Sequence, residues 1–177
     1  MLKNGKQCIL RSPDVDDAEV MLAYLRQVFE ETHFMNRYPE EAESMTLDRE
    51  RTFLEHMAAE TTRSMMINAV VDGKVAGNVG LNLVGDMIKL RHRASLGIGV
   101  VKEYWGMGLG TLLMEEALCE AGKMGFYQVE LGTYADNKRA IRLYEKLGFE
   151  RWGVTKNAFR LKDGTMIDEI LMGKVLV

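Results

Sequence analysis

Apolar and polar positions along this 177-residue chain fall into short alternating runs and longer helical stripes. Residues 7–12, QCILRS, predict a first strand. Ser12-Pro13-Asp14 stops it and opens a helix to about Glu30, in which Val15, Ala18, Val20, Met21, Leu22, Leu25, Val28 and Phe29 form a broad apolar stripe. From Glu31 to Met45 the pattern is aperiodic and rich in carboxylates, which predicts irregular structure. Thr46 to Glu50 begins a second helix, with Phe53, Leu54 and Met57 on its inner face. MMINAVV and VAGNVGLNLV flank Asp72-Gly73-Lys74, a hairpin signature because Asp-Gly tolerates the positive φ of a tight turn.

ASLGIGVV then predicts a strand over Ala94–Val101. A helix follows with Leu109, Leu112, Leu113, Ala117, Ala121 and Met124 on its core face, ended by Gly125. YQVELGT reads as a strand, Asn137 to Leu147 as a helix stopped by Gly148, and Phe149–Phe159 with Met166–Val175 as a closing strand pair joined around Lys162-Asp163-Gly164. Strand, two helices, three strands, helix, strand, helix and two strands make a mixed α/β (α+β) layer fold on one central sheet. Two prolines, no Ser/Gly linker and no internal repeat point to a single domain over residues 1–177.

Composition narrows the function classes. A formal net charge of -3 gives no basis for nucleic-acid or anionic-membrane binding. No apolar run reaches the roughly 18 residues of a membrane span, and MLKNGKQCILRS lacks a signal-peptide core. Cys8 and Cys119 have no metal-ligand spacing, so a cytoplasmic protein with reduced thiols and no metal is expected.

The chemistry concentrates between Val100 and Gly148. Gly106, Gly108 and Gly110 alternate just before a helix, where glycine bares backbone N–H groups and lets an anion approach the positive end of the helix dipole. Backbone amides from about Met107 to Thr111 form this candidate pyrophosphate cradle. Asn137 and Tyr144 lie seven residues apart, about two helical turns, on one face with Ala140 or Ile141 between them.

These two motifs, Trp105-Gly106-Met107-Gly108-Leu109-Gly110 and the run NKRAIRLYEKLGF from Asn137 to Phe149, resemble those of the GNAT superfamily of N-acetyltransferases. The likeness is good from about Met65 onward, and Tyr104-Trp105-Gly106 is similar to the branch of ribosomal-protein acetyltransferases. Trp105 departs from the polar residue usual at its position; phosphate binding there is mostly by backbone groups. The resemblance implies a three-layer fold with a central mixed, mostly antiparallel sheet flanked by helices. It implies acetyl-CoA as cosubstrate, a backbone edge at Val100-Val101 that pairs with the pantetheine arm, and Asn137 bonded to that arm. It also implies Tyr144 near the thioester sulfur, protonating the departing thiolate as a general acid. The acceptor would be an amine, on a protein N-terminus or a small molecule, and a homodimer through the last strands is open.

No general base is singled out. Many relatives carry a Glu on the strand before the cradle, where this chain has Ser95. Glu103, His92, Glu130, and Glu30 or Glu31 through water are the candidates, each more readily read as a solvated charge. Glu40, Glu41 and Glu43 could form a cation-attracting rim or simply a solvated loop. An α-amine with a pKa near about 8 is partly neutral at physiological pH and has less need of a base than a lysine amine near about 10.4.

Two competing readings fit less well. A dinucleotide-dependent oxidoreductase would use Gly106-x-Gly108 and an acid such as Glu130, but Thr111 stands where that motif wants Gly or Ala. A non-catalytic acyl-CoA-binding module would keep the cradle and lose the acid, whereas Tyr144 is present.

Overall fold

The computed structural model describes residues 1–58 and 63–176. Its elements are β1 Ile9–Arg11, α1 Ala18–Glu31, α2 Leu47–Ala58, β2 Met65–Val71, β3 Lys74–Leu83, β4 Arg93–Val100, α3 Leu109–Lys123, β5 Gln128–Tyr134, α4 Lys138–Lys146, β6 Glu150–Arg160 and β7 Met166–Val175. The expected element order is borne out. The seven strands run β1-β2-β3-β4-β5-β7-β6, with β4 and β5 parallel and the β1/β2, β2/β3, β5/β7 and β6/β7 pairs antiparallel. The sheet is therefore mixed and mostly antiparallel.

Some boundaries differ from the sequence pattern. The first strand shrinks to three residues, and α1 is preceded by a 3-10 turn, Val15–Asp17, capped by Asp14. The carboxylate-rich segment is not wholly irregular, because Pro39 opens a 3-10 helix to Ser44. Val101 falls outside β4 and begins the 3-10 turn Lys102–Tyr104.

The chain divides into two compact units. The first comprises Met1–Asn82 and Gly97–Ala117. Its core joins Met21 and Val28 of α1, Leu54 of α2, Val79 and Leu81 of β3, and Leu109, Leu113 and Met114 of α3, each at most 1% exposed. Gly77 permits the approach of β3 to α3, since a Cβ there would stand 3.0 Å from Leu113 Cδ1 and 3.1 Å from the Gly99 carbonyl. Val20 and Phe53, expected on inner faces, are 44% and 43% exposed, while Tyr24 and Glu50 are buried instead. Helical periodicity fixes a face only to within a residue, and the packing partner decides which edge of the stripe is covered. The same offset appears in α3, where Met114 is fully buried and Leu112 is half-buried, as is Met124 just past the helix end.

The second unit comprises Leu83–Leu96 and the chain from Leu118 onward. Val129 and Leu131 of β5, Ile170 and Met172 of β7, Ile141 and Tyr144 of α4, and Phe149 supply its core. Strand alternation places Leu171, Gly173 and Val175 on the opposite face of β7, where the Trp152 ring occupies the space a Cβ on Gly173 would need.

Candidate active site

Within the first unit, β4 delivers the chain to the glycine turn through a short hydrogen-bonded relay. The indole Nε1–H of Trp105 donates to the Val100 carbonyl at 2.7 Å. The Val101 N–H donates to the Ala76 carbonyl of β3 at 2.9 Å, and the N–H groups of Tyr104 and Trp105 close back onto the carbonyls of Val101 and Lys102. Trp105 thus replaces a polar side chain with a donor that ties the loop to the strand it leaves. The Val101 amide is thus engaged by β3, and Val100 is the last residue of β4 before the turn.

Gly106 and Gly108 adopt φ of 78° and 92°, a region that costs other residues of the order of 1–2 kcal/mol. A Cβ on either would meet nothing within 4 Å. Backbone conformation, rather than crowding by the protein, therefore demands glycine at both. These two turns bring Leu109, Gly110 and Thr111 into the first turn of α3, and the first intrahelical bond runs from Leu112 N–H to the Gly108 carbonyl. The amides of Leu109, Gly110 and Thr111 precede that bond and are the orphan donors of a helix start. No acidic residue occupies that turn, so nothing there opposes an anion. Met107, expected to contribute its amide, has its N–H on the Tyr104 carbonyl at 3.3 Å, and its carbonyl accepts from the Lys3 N–H.

Within the second unit, Asn137 caps α4, its Oδ1 accepting from the Ala140 N–H at 3.2 Å. Asn137 and Ala140 are thus brought together by the cap itself, which orients the Asn137 amide at the helix start. Tyr144, two turns further on, is 6% exposed and its ring packs 5.9 Å from that of Phe149. Burial pushes its phenol well above the ordinary tyrosine value, so it holds its proton throughout the physiological range.

The base candidates meet different fates. Glu130 is gripped by Arg93, with contacts of 2.7 Å to one oxygen and 2.8 and 3.0 Å to the other. Glu31 uses both oxygens, one taking the Gln27 amide and the other the Lys102 N–H. Glu103 is exposed and 3.8 Å from Lys6, Glu30 and Ser95 are exposed, and His92 lies at the surface edge-on to Tyr127. Glu40, Glu41 and Glu43 are exposed on the 3-10 helix, as a rim or a solvated segment would have them. Glu50, which the pattern did not single out, is buried with an oxygen that no described group satisfies.

Comparison with known proteins adds to this geometry. The model of the acetyltransferase (GNAT) family matches residues 22–149. An L-amino acid N-acetyltransferase, AaaT of Escherichia coli, is 31% identical over 109 residues, 60% of this chain and 65% of its own length. The [ribosomal protein bS18]-alanine N-acetyltransferase of Escherichia coli is 37% identical over 75 residues, 42% of this chain and 50% of its own. The chain therefore spans less than two thirds of either curated relative. A GNAT-family acetyltransferase of Streptococcus pneumoniae has the same fold, with a TM-score of 0.90 at 30% identity over 96% of this chain and 100% of that one. The family match runs through both motifs, the glycine turn and α4, and on it the chain belongs to the GNAT family of acetyltransferases.

Proposed function

We propose that this chain, working as one acyl-CoA-dependent domain over residues 1–177, transfers the acetyl group of acetyl-CoA to a primary α-amine, on an amino acid or at a protein N-terminus. The observation that carries the reading is the turn at Gly106 and Gly108, whose two positive φ angles set up the acid-free first turn of α3. Leu109, Gly110 and Thr111 would hold the pyrophosphate through their amides, with Trp105 fixing the loop and Val100 offering its backbone to the pantetheine arm. Asn137 and Ala140 would meet that arm at the start of α4.

Acetyl-CoA supplies an activated thioester. Attack by a neutral amine forms the C–N bond, the C–S bond breaks, and the departing sulfur takes a proton that Tyr144 holds ready. The amine's surplus proton leaves to water, and a proton from water restores the Tyr144 phenol. The names of the two curated relatives refer to an L-amino acid and to an alanine of a ribosomal protein, and an α-amine is what an amino acid and a protein N-terminus share. Such an amine, with a pKa near about 8, needs no strong base. That agrees with the engagement of Glu130 and Glu31 in other bonds. Lacking a disulfide among the described residues, with Cys119 exposed, the chain suits a reducing, cytoplasmic setting.

The test pairs an acceptor panel with one substitution. Free L-amino acids and peptides with free N-termini should be acetylated well ahead of α-blocked lysine and of polyamines. Tyr144→Phe keeps the ring and its packing; it should bind acetyl-CoA normally and lose on the order of 10²-fold in kcat. Full turnover in that variant would refute the acid assignment. Acetyl-CoA binding without transfer to any amine would favour a non-catalytic module, and preference for ε-amines would overturn the α-amine reading.

A further inference from the structure

Helix α1 grips the strand that leads into the glycine turn at two matched points. Tyr24 and Glu31 are seven residues apart, two helical turns or about 10.5 Å along the axis. Gly99 and Lys102 are three residues apart in nearly extended chain, about 10 Å. The two spacings coincide. The buried Tyr24 hydroxyl sits where a Cβ on Gly99 would be 2.5 Å away, with Met35 Cε 3.8 Å from the same point. Glu31 Oε2 accepts from the Lys102 N–H at 2.6 Å, and Gln27, on the same helical face, holds Oε1 through its amide at 2.9 Å.

Lys102 N–H is the first donor of the turn that follows Val101, so the Glu31 carboxylate caps the segment carrying the chain from Val100 to Trp105 and Gly106. An ionised acceptor on a backbone N–H makes a short, strong hydrogen bond, and the bond here closes a gap of 71 residues. We propose that Glu31 is a positioning residue of the acetyl transfer: it fixes the backbone between β4 and the glycine turn, and so sets the affinity for acetyl-CoA without touching the reacting atoms. Gln27 locks the carboxylate in place, and Tyr24 against Gly99 keeps the helix from sliding along the strand. The inference rests on the acetyl-CoA reading given above.

The experiment compares Glu31→Ala and Glu31→Gln. Gln retains an acceptor oxygen within reach of the Lys102 N–H, and Ala does not. Glu31→Ala should raise KM for acetyl-CoA roughly tenfold, with kcat and the acceptor KM within about twofold of wild type. Glu31→Gln should restore most of the affinity and leave the pH profile of kcat unchanged. Hydrogen exchange of the Lys102 amide, measured on the protein alone, should speed up in Glu31→Ala and much less in Glu31→Gln. An unchanged acetyl-CoA KM in Glu31→Ala would overturn the proposal, as would a melting temperature that falls without any change in KM. A kcat loss equal in both variants, with the acid limb of the pH profile gone, would make Glu31 a base instead. If wild type itself shows no thermal shift with acetyl-CoA, the cofactor reading fails, while the amide exchange result still decides whether Glu31 holds the turn.

Discussion

Trp105 reaches back five residues to donate its indole N–H to the Val100 carbonyl at 2.7 Å. The bond folds the exit of β4 into a closed loop immediately before Gly106, and it depends on an N–H donor that phenylalanine lacks and that tyrosine replaces only with a hydroxyl at the far end of its ring.

Trp105→Phe should keep much of the ring packing and leave the Val100 carbonyl without this donor. One lost neutral hydrogen bond costs about 1 kcal/mol, more where the orphaned group stays partly buried. A melting temperature a few degrees lower, measured by calorimetry, and a severalfold rise in the acetyl-CoA KM are expected. A variant equal to wild type in both would show that the indole is only packing.

Gly108 combines a φ of 92° with open space around a would-be Cβ. Gly108→Ala should therefore destabilise by backbone strain alone, of the order of 1–2 kcal/mol, and keep a reduced thermal shift with acetyl-CoA. Gly108→Asp adds a negative charge at the N-terminus of α3, at the place where the pyrophosphate would lie, and should abolish the shift. Equal shifts in the two variants would remove charge from the account of the cradle.

Glu50 is buried with one oxygen unsatisfied among the described residues, and burial raises its pKa above the ordinary carboxylate value. With the folded pKa raised, the unfolded chain ionises first, so Glu50 costs no stability below about pH 4.3 and progressively more as pH rises through its folded pKa. Glu50→Gln stays neutral throughout. In denaturant unfolding it should be more stable than wild type at pH 7, with the gap closing near pH 4. A variant less stable at pH 7 would mean that the carboxylate has a partner worth keeping.

The periodicities of the chain and two short motifs were enough for the element order, the mixed sheet, the family and the residues of the glycine turn and α4. Each of these is a local property: a stripe, an alternation or a glycine before a helix records what its own segment must do. The engagement of the Val101 amide by Ala76 and the bond from the Lys3 N–H to the Met107 carbonyl were decided only by tertiary structure, because each depends on where a segment distant in sequence falls. The base candidates make the same point. Arg93 and Glu130 are 37 residues apart, and Glu31 and Lys102 are 71 apart, so in sequence all four are plain charges. The parallel register of β4 with β5 sets Arg93 beside Gln128 and Ser95 beside Glu130, which brings the guanidinium within reach of the carboxylate. The run of α1 alongside Gly99 and Lys102 turns Glu31 from a surface acid into a cap. A carboxylate's partner is a matter of distance through space, and periodicity along the chain carries no record of it.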